Sequence, residues 1–225
     1  ALAVQPFSVI IGFINRTVFI HFLGVTYLGL SSYLTSLVSI LSLAELGIGE
    51  AMSYALYSPL AKNEHGKINA LMILYKKLYR IIGISIFILG AIFSLFLPHM
   101  IKDYAINNEL YWIYFIFVFN SGSSYFFSYK RTLLSVDQRN YVMNLINFGL
   151  NTLRVFLQIG VIIFTQNFIF YLLIETILNI IGNVLMSRIV DWLYKYLYNE
   201  EIIPINKEEK EKFVRNIKGN TLGSI

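Results

Sequence analysis

Cysteine is absent from this chain of 225 residues, which excludes disulfide staples, thiol catalysis and thiolate metal sites. Charge is scarce. Only 14% of the residues are Asp, Glu, Lys or Arg, against about 25% in an ordinary soluble domain. Tryptophan is reduced to two residues, although tyrosine reaches 16. What fills the chain is apolar: 56% of residues are hydrophobic and the mean hydropathy is +0.62. A chain of this length can bury a large core, but it lacks the polar surface to cover one. A soluble enzyme, a disordered segment and a nucleic-acid-binding domain are therefore excluded.

Catalytic and metal-binding patterns are missing as well. No GxxxxGK[ST] phosphate loop occurs, so the chain is not an ATP-driven pump by itself. His21, His65 and His99 are isolated, and neither a metal constellation nor a Ser–His–Asp set is formed. The reading is of a protein that is not an enzyme and uses no cofactor.

A helix needs about 20 apolar residues to cross a bilayer. Six stretches qualify: residues 1–23, 28–53, 81–97, 110–129, 141–164 and 168–187. They are continuous runs rather than alternating ones, which excludes β-barrel strands. The predicted fold is all-α, a polytopic membrane helix bundle. Residues 1–187 form its six-helix transmembrane lobe. Residues 188–225 form cytoplasmic interfacial and linker helices leading to the start of a seventh span. Residues 1–23 lack a basic leader and a small-residue cleavage site, so they read as a span and not as a signal peptide.

The basic residues set the orientation. With the amino end inside, fifteen of the eighteen Lys and Arg fall on the cytoplasmic side and only Lys102 falls outside; Arg16 and Arg154 lie within spans. This is a strong positive-inside asymmetry. Basic patches then mark topology and contacts with anionic membrane lipids, and nucleic acid is not a partner. Two cytoplasmic stretches, 68–82 and 188–198, are amphipathic and predict helices lying on the inner surface. Asn206 followed by Glu209 fits the start of a helix over 207–217.

Polar residues inside a membrane are costly and usually functional. In span five, Asn140, Asn144, Asn147, Asn151, Arg154, Gln158 and Thr165 fall within an arc of about 80° at 100° per residue, with Leu150 and Leu157 on the other face. Span one aligns Gln5, Ser8, Gly12, Asn15 and Arg16. Span six carries Glu175, Asn179 and Asn183; span two carries Ser31, Thr35, Ser42, Glu45 and Gly49; span four has a polar patch at 120–124. For spans two and four, interhelical packing and hydrogen bonding account for such residues. For span five, a column of this length predicts a hydrated central cavity. Arg154 lies about 15 Å below Phe164, and Glu175 about 10 Å down the adjacent helix, so the two can pair. Arg16 has no evident acidic partner: it either snorkels outward or binds an anion in the cavity.

Four motifs in order resemble the polysaccharide flippases of the O-antigen, capsule and teichoic-acid type, within the multidrug/oligosaccharidyl-lipid/polysaccharide exporter superfamily. They are RTVFIHFLGVTYLGL at 16–30, LSLAELGIGEAMSYALYSPLA at 41–61, SYFFSYKRTLLSVDQRNYV at 124–142 and KEEKEKFVRNIKG at 207–219. The resemblance implies the first lobe of a two-lobe transporter in a bacterial cytoplasmic membrane. It implies a substrate, an oligosaccharide on polyprenyl pyrophosphate, and other membrane proteins of polysaccharide assembly as partners. The residues agree with such a substrate. Arginine offers a planar fork to a pyrophosphate, and amides suit a sugar. The candidate substrate-binding residues are Arg16, Arg154, Asn15, Asn144, Asn147, Asn151 and Gln158. Glu45 and Glu175 are the candidate coupling carboxylates. Lys130, Arg131 and Arg139 stand at the cytoplasmic mouth, as gatherers of anionic headgroups or as positive-inside anchors.

Two other functions compete. A multidrug or small-cation exporter would favour acidic cavity residues, and Arg16 and Arg154 argue against it. An integral membrane enzyme of glycan assembly would need a catalytic cluster or a large external loop. The expected external loops, 24–27, 98–109 and 165–167, are short.

Overall fold

A computed structural model describes residues 4–45, 47–101, 108–199, 203, 213 and 215–217. All regular elements among the described residues are helical. In chain order they are α1 (Val4–Leu23), α2 (Val25–Leu41), a 3-10 turn (Ser42–Glu45), α3 (Ile48–Ala61), α4 (His65–Ser94) and α5 (Leu97–Met100). There follow α6 (Asn108–Ser128), α7 (Arg131–Val136), α8 (Asn140–Thr165), α9 (Phe168–Leu193) and α10 (Tyr196–Asn199). The start of a seventh span, Lys102, the side chain of Gln5, and all of the helix expected over 207–217 except Phe213 and 215–217 lie outside the described residues.

Among the described residues, four helices are long and apolar enough to cross a membrane: α1 from Pro6, α4, α8 and α9. They mark the chain as a membrane-embedded one. The apolar helix α2 has 17 residues, about 26 Å at 1.5 Å per residue. Helix α6 has the length but is diluted by its tyrosines and by the polar residues at 120–124.

The second expected span is not one helix. It stops at Leu41, tightens into the 3-10 turn, and restarts after Gly47, which sits in the left-handed region at φ 82°. Glycine adopts that conformation without steric cost. Along α2, the hydroxyls of Ser31, Ser32, Thr35, Ser36 and Ser39 donate to carbonyls four residues back, at 2.7–3.0 Å. The apolar setting therefore leaves these hydroxyls satisfied by their own helix.

The surface helix expected over 68–82 is also revised. It is the first half of α4, which runs unbroken for 30 residues. Its apolar residues Ile68, Leu71, Met72, Tyr75, Tyr79 and Ile82 are buried in the protein, not laid on lipid. Protein packing has claimed a face that the sequence pattern alone assigned to a membrane surface. Similarly, α9 passes through residues 188–193 without an elbow. Val190 and Tyr194 are buried, while Trp192 is exposed.

The tightest packing joins α4 to α6. At Gly90 an added Cβ would lie 2.5 Å from Val118 Cγ1, and at Gly122 it would lie 2.8 Å from Phe87 Cζ. Only glycine allows the helices to approach this closely. The Tyr114 hydroxyl donates to the Gly90 carbonyl at 2.8 Å and closes the seam. Helices α8 and α9 form a hairpin turned by Gln166 (φ 48°) and Asn167. Asn167 caps α9, its Oδ1 accepting from the amides of Ile169 and Phe170 at 2.8 and 3.3 Å. Helix α1 packs on α8, and α6 on α9, so the hairpin stands between them.

Candidate functional site

Helix α8 is the most strongly two-faced of the long helices. One side presents Leu145, Leu153, Phe156 and Leu157, all well exposed. The other faces a cavity of about 910 Å³ lined from α1, α2, the 3-10 turn, α6, α7, α8 and α9. Asn144, Asn147, Asn151 and Arg154 form its α8 wall. Glu175, Asn179 and Asn183 form the α9 wall, Asn120, Ser121 and Ser124 the α6 wall. Arg131 on α7 lines the cavity too.

These groups bond across the helices. The Asn179 amide donates to Asn120 Oδ1 at 3.1 Å, tying α9 to α6. The hydroxyls of Ser42 and Ser121 lie 3.3 Å apart. Arg154 Nη1 is 3.6 Å from Glu175 Oε1, the pair anticipated from their depths, and Arg154 Nη2 donates to Asn151 Oδ1. Arg131 Nη2 donates to Asn183 Oδ1 at 2.7 Å. The cavity thus holds two guanidinium groups and one carboxylate among its lining residues. Burial lowers the pKa of Arg131, but a guanidinium starts so high that it stays cationic.

Other expected residues lie elsewhere. Asn15 and Gln158 do not line the cavity. They form a knot above it, where Asn15 Nδ2 donates to Gln158 Oε1 at 3.2 Å and to the Tyr171 hydroxyl at 3.0 Å. Gln158 is 1% exposed; the polar stripe closes at its upper end because α1 and α9 cover it. Arg16 is exposed on α1, outside the lining, with no partner among the described residues. Leu150, expected on the far face, lines the cavity beside Gly182.

The three mouth cations separate. Lys130 is 7% exposed and bound to Asp191 at 2.5 Å. Arg139 Nε meets Asp137 Oδ2 at 2.7 Å, and the same oxygen accepts the Tyr194 hydroxyl at 2.6 Å. Burial, then the bond to Asp137, pushes the Tyr194 phenol up. Only Arg131 of the three turns into the cavity.

Glu45 sits at the break after α2, apart from the cavity lining. Its two oxygens accept the hydroxyls of Tyr79 on α4 and Tyr125 on α6. Tyr75 donates to the Tyr79 hydroxyl at 2.7 Å. Nothing in the sequence identified these phenols as partners of Glu45; the available signal was Tyr75 and Tyr79 at i, i+4, one helical face.

The chain matches no family model, no curated protein and no solved structure. A polar, positively biased chamber walled by apolar-backed helices can hold an anionic, hydroxyl-rich group at membrane depth while an attached tail stays in lipid.

Proposed function

We propose that the chain is a lobe of a flippase that moves polyprenyl-pyrophosphate-linked oligosaccharide across a bacterial cytoplasmic membrane. In this reading the amino end is cytoplasmic. The broken α2–α3 unit and α6 join the four long helices to make six spans. A second lobe completes the chamber, and rocking of one lobe against the other alternates its access. The observation that carries the reading is the column Asn144, Asn147, Asn151 and Arg154 on the wall of a 910 Å³ cavity. Amides serve sugar hydroxyls, and a guanidinium serves the pyrophosphate.

The test is accumulation of lipid-linked glycan on the inner leaflet of cells carrying Arg154→Ala, with protein abundance measured alongside. The expected outcome is loss of export at near-normal abundance, with partial rescue by Arg154→Lys, which keeps charge and loses the fork. Normal export by well-expressed Arg154→Ala would remove the cavity from the mechanism. Glu175 is tested with it. If it serves only to neutralise Arg154, removing both charges restores what either single change loses. If it also couples transport, the double variant folds and stays inactive.

A further inference from the structure

We propose that Arg131, rather than Arg154, is the anchor for the phosphate-bearing group, at an anion subsite that Arg131 forms with Asn183 where α7 and α9 meet the cavity. The inference rests on the flippase reading of this cavity and assigns its charged end.

Four cations near the cavity differ in their partners. Arg154 faces the Glu175 carboxylate at 3.6 Å, Lys130 faces Asp191 at 2.5 Å, and Arg139 faces Asp137 at 2.7 Å. An oxyanion approaching any of these must compete with a carboxylate already in place. Arg131 has no acidic partner among the described residues. Its bond goes to the neutral amide oxygen of Asn183, at 2.7 Å. Asn183 is itself 7% exposed and fixed on α9. The Arg131 Nε is buried and has no acceptor among the described residues, and the same holds for the Arg154 Nε, so what separates the two is the carboxylate beside Arg154. A guanidinium carries its donors in a planar fork that suits two oxygens of one phosphate. A small rotation of Arg131 toward the cavity would present Nε and Nη together to such a group. Arg131 thus combines charge, cavity access and unspent donors, whereas Arg154 has already spent its charge on Glu175.

The polar column on α8, with Asn144 and Asn147, lines the same cavity as this subsite. A headgroup anchored at Arg131 would lay its sugars along that column toward Arg154. The chemistry recognised is a phosphate or diphosphate carrying two or more negative charges, whether free or on a prenyl chain.

The experiment measures binding of three probes to the purified full chain in nanodiscs: inorganic pyrophosphate, a short-chain prenyl pyrophosphate, and phosphatidylglycerol as competitor. Arg131→Gln is expected to weaken both pyrophosphate probes by about tenfold or more, the loss of one charge-assisted hydrogen bond. Arg154→Gln should change them by less than about threefold, because its charge is already compensated. Asn183→Asp keeps Arg131 but gives it an acidic partner, and is expected to weaken binding as Arg131→Gln does. This variant carries the test if Arg131→Gln fails to fold. Glu175→Gln, which releases Arg154, should tighten binding. Lys76→Gln, outside the cavity, removes one charge as a control and should bind as wild type does.

Loss of binding in Arg154→Gln with retention in Arg131→Gln would overturn the assignment, as would equal binding by all variants or no pyrophosphate binding at all. Displacement by phosphatidylglycerol at matching affinity would also overturn it, since the site would then be a general lipid contact. The flippase reading fails separately. Binding that depends on Arg131, with glycan export unaffected by Arg131→Gln and Arg154→Ala, would keep the subsite and discard the transport role.

Discussion

At the seam between α4 and α6, the Tyr114 hydroxyl is spent on the Gly90 carbonyl, and nearby the hydroxyls of Tyr79 and Tyr125 are spent on Glu45. On the wall made by α8 and α9, the side chains of Asn144 and Asn147 are exposed and line a cavity. Both regions are rich in polar atoms at membrane depth. The seam uses each one to hold helices together, while the wall leaves part of its capacity open. The contrast also shows in burial. A third of the most apolar window of α4 is buried, against 17% in α8. A membrane helix this exposed on both faces needs lipid on one side and something polar on the other. Polar residues therefore carry opposite meanings here, and what separates them is whether a partner is already present.

Substitutions can break that contrast. The largest effect is expected at Gly90. A methyl group there meets Val118 at 2.5 Å, so Gly90→Ala should cost about 1–3 kcal/mol through overpacking, and Gly90→Leu should prevent folding. Thermal unfolding in detergent measures the first, and loss of monodisperse protein the second. Next comes Glu45→Ala, which strips the acceptor from two phenols. Each orphaned donor costs about 1–3 kcal/mol. Glu45→Gln should cost less, because an amide oxygen still accepts. Equal stability of the two variants would show that the bonds from Tyr79 and Tyr125 to Glu45 do not hold the seam.

On the wall the expected order reverses. Asn144→Leu and Asn147→Leu should leave unfolding within about 0.5 kcal/mol of wild type, yet block glycan export in cells. If they instead destabilise the protein as Glu45→Ala does, the wall is a second seam and the contrast disappears. The smallest effect is expected from Leu157→Ala. Leu157 is 44% exposed on the lipid side of α8, and both stability and export should stay near wild type.

Much of the fold was legible in periodicity. Helices α1, α8 and α9 fall where apolar runs of sufficient length predicted them, and the Arg154–Glu175 pair followed from rise per residue alone. The break at Gly47 was not read, because a left-handed glycine leaves the hydropathy of a run unchanged. The continuity of α4 was missed for a different reason. An amphipathic stretch next to an apolar one looks the same whether its apolar face meets lipid or α3 and α6, and only tertiary packing decides. The site was half legible. Angular alignment found the α8 column, but it cannot say where neighbours cover that column, so Gln158 and Asn15 were placed in a cavity they do not line. Arg131 was grouped with its neighbours by charge, whereas α7 turns its side chain away from theirs.

The contact between α10 and the start of α4 has a consequence for how the protein is made. The Asn69 amide donates to the Tyr196 carbonyl across 127 residues of sequence, and the His65 ring stacks on Tyr196 at 4.1 Å. During synthesis the first turns of α4 emerge long before Tyr196 exists. At about 5–20 residues per second, the ribosome needs roughly 6–25 s to supply it. Over that interval Asn69, 2% exposed in the finished protein, must be sheltered by water, by lipid headgroups or by the insertion machinery. The order of translation, and not only the final structure, thus sets when this end of the bundle can close.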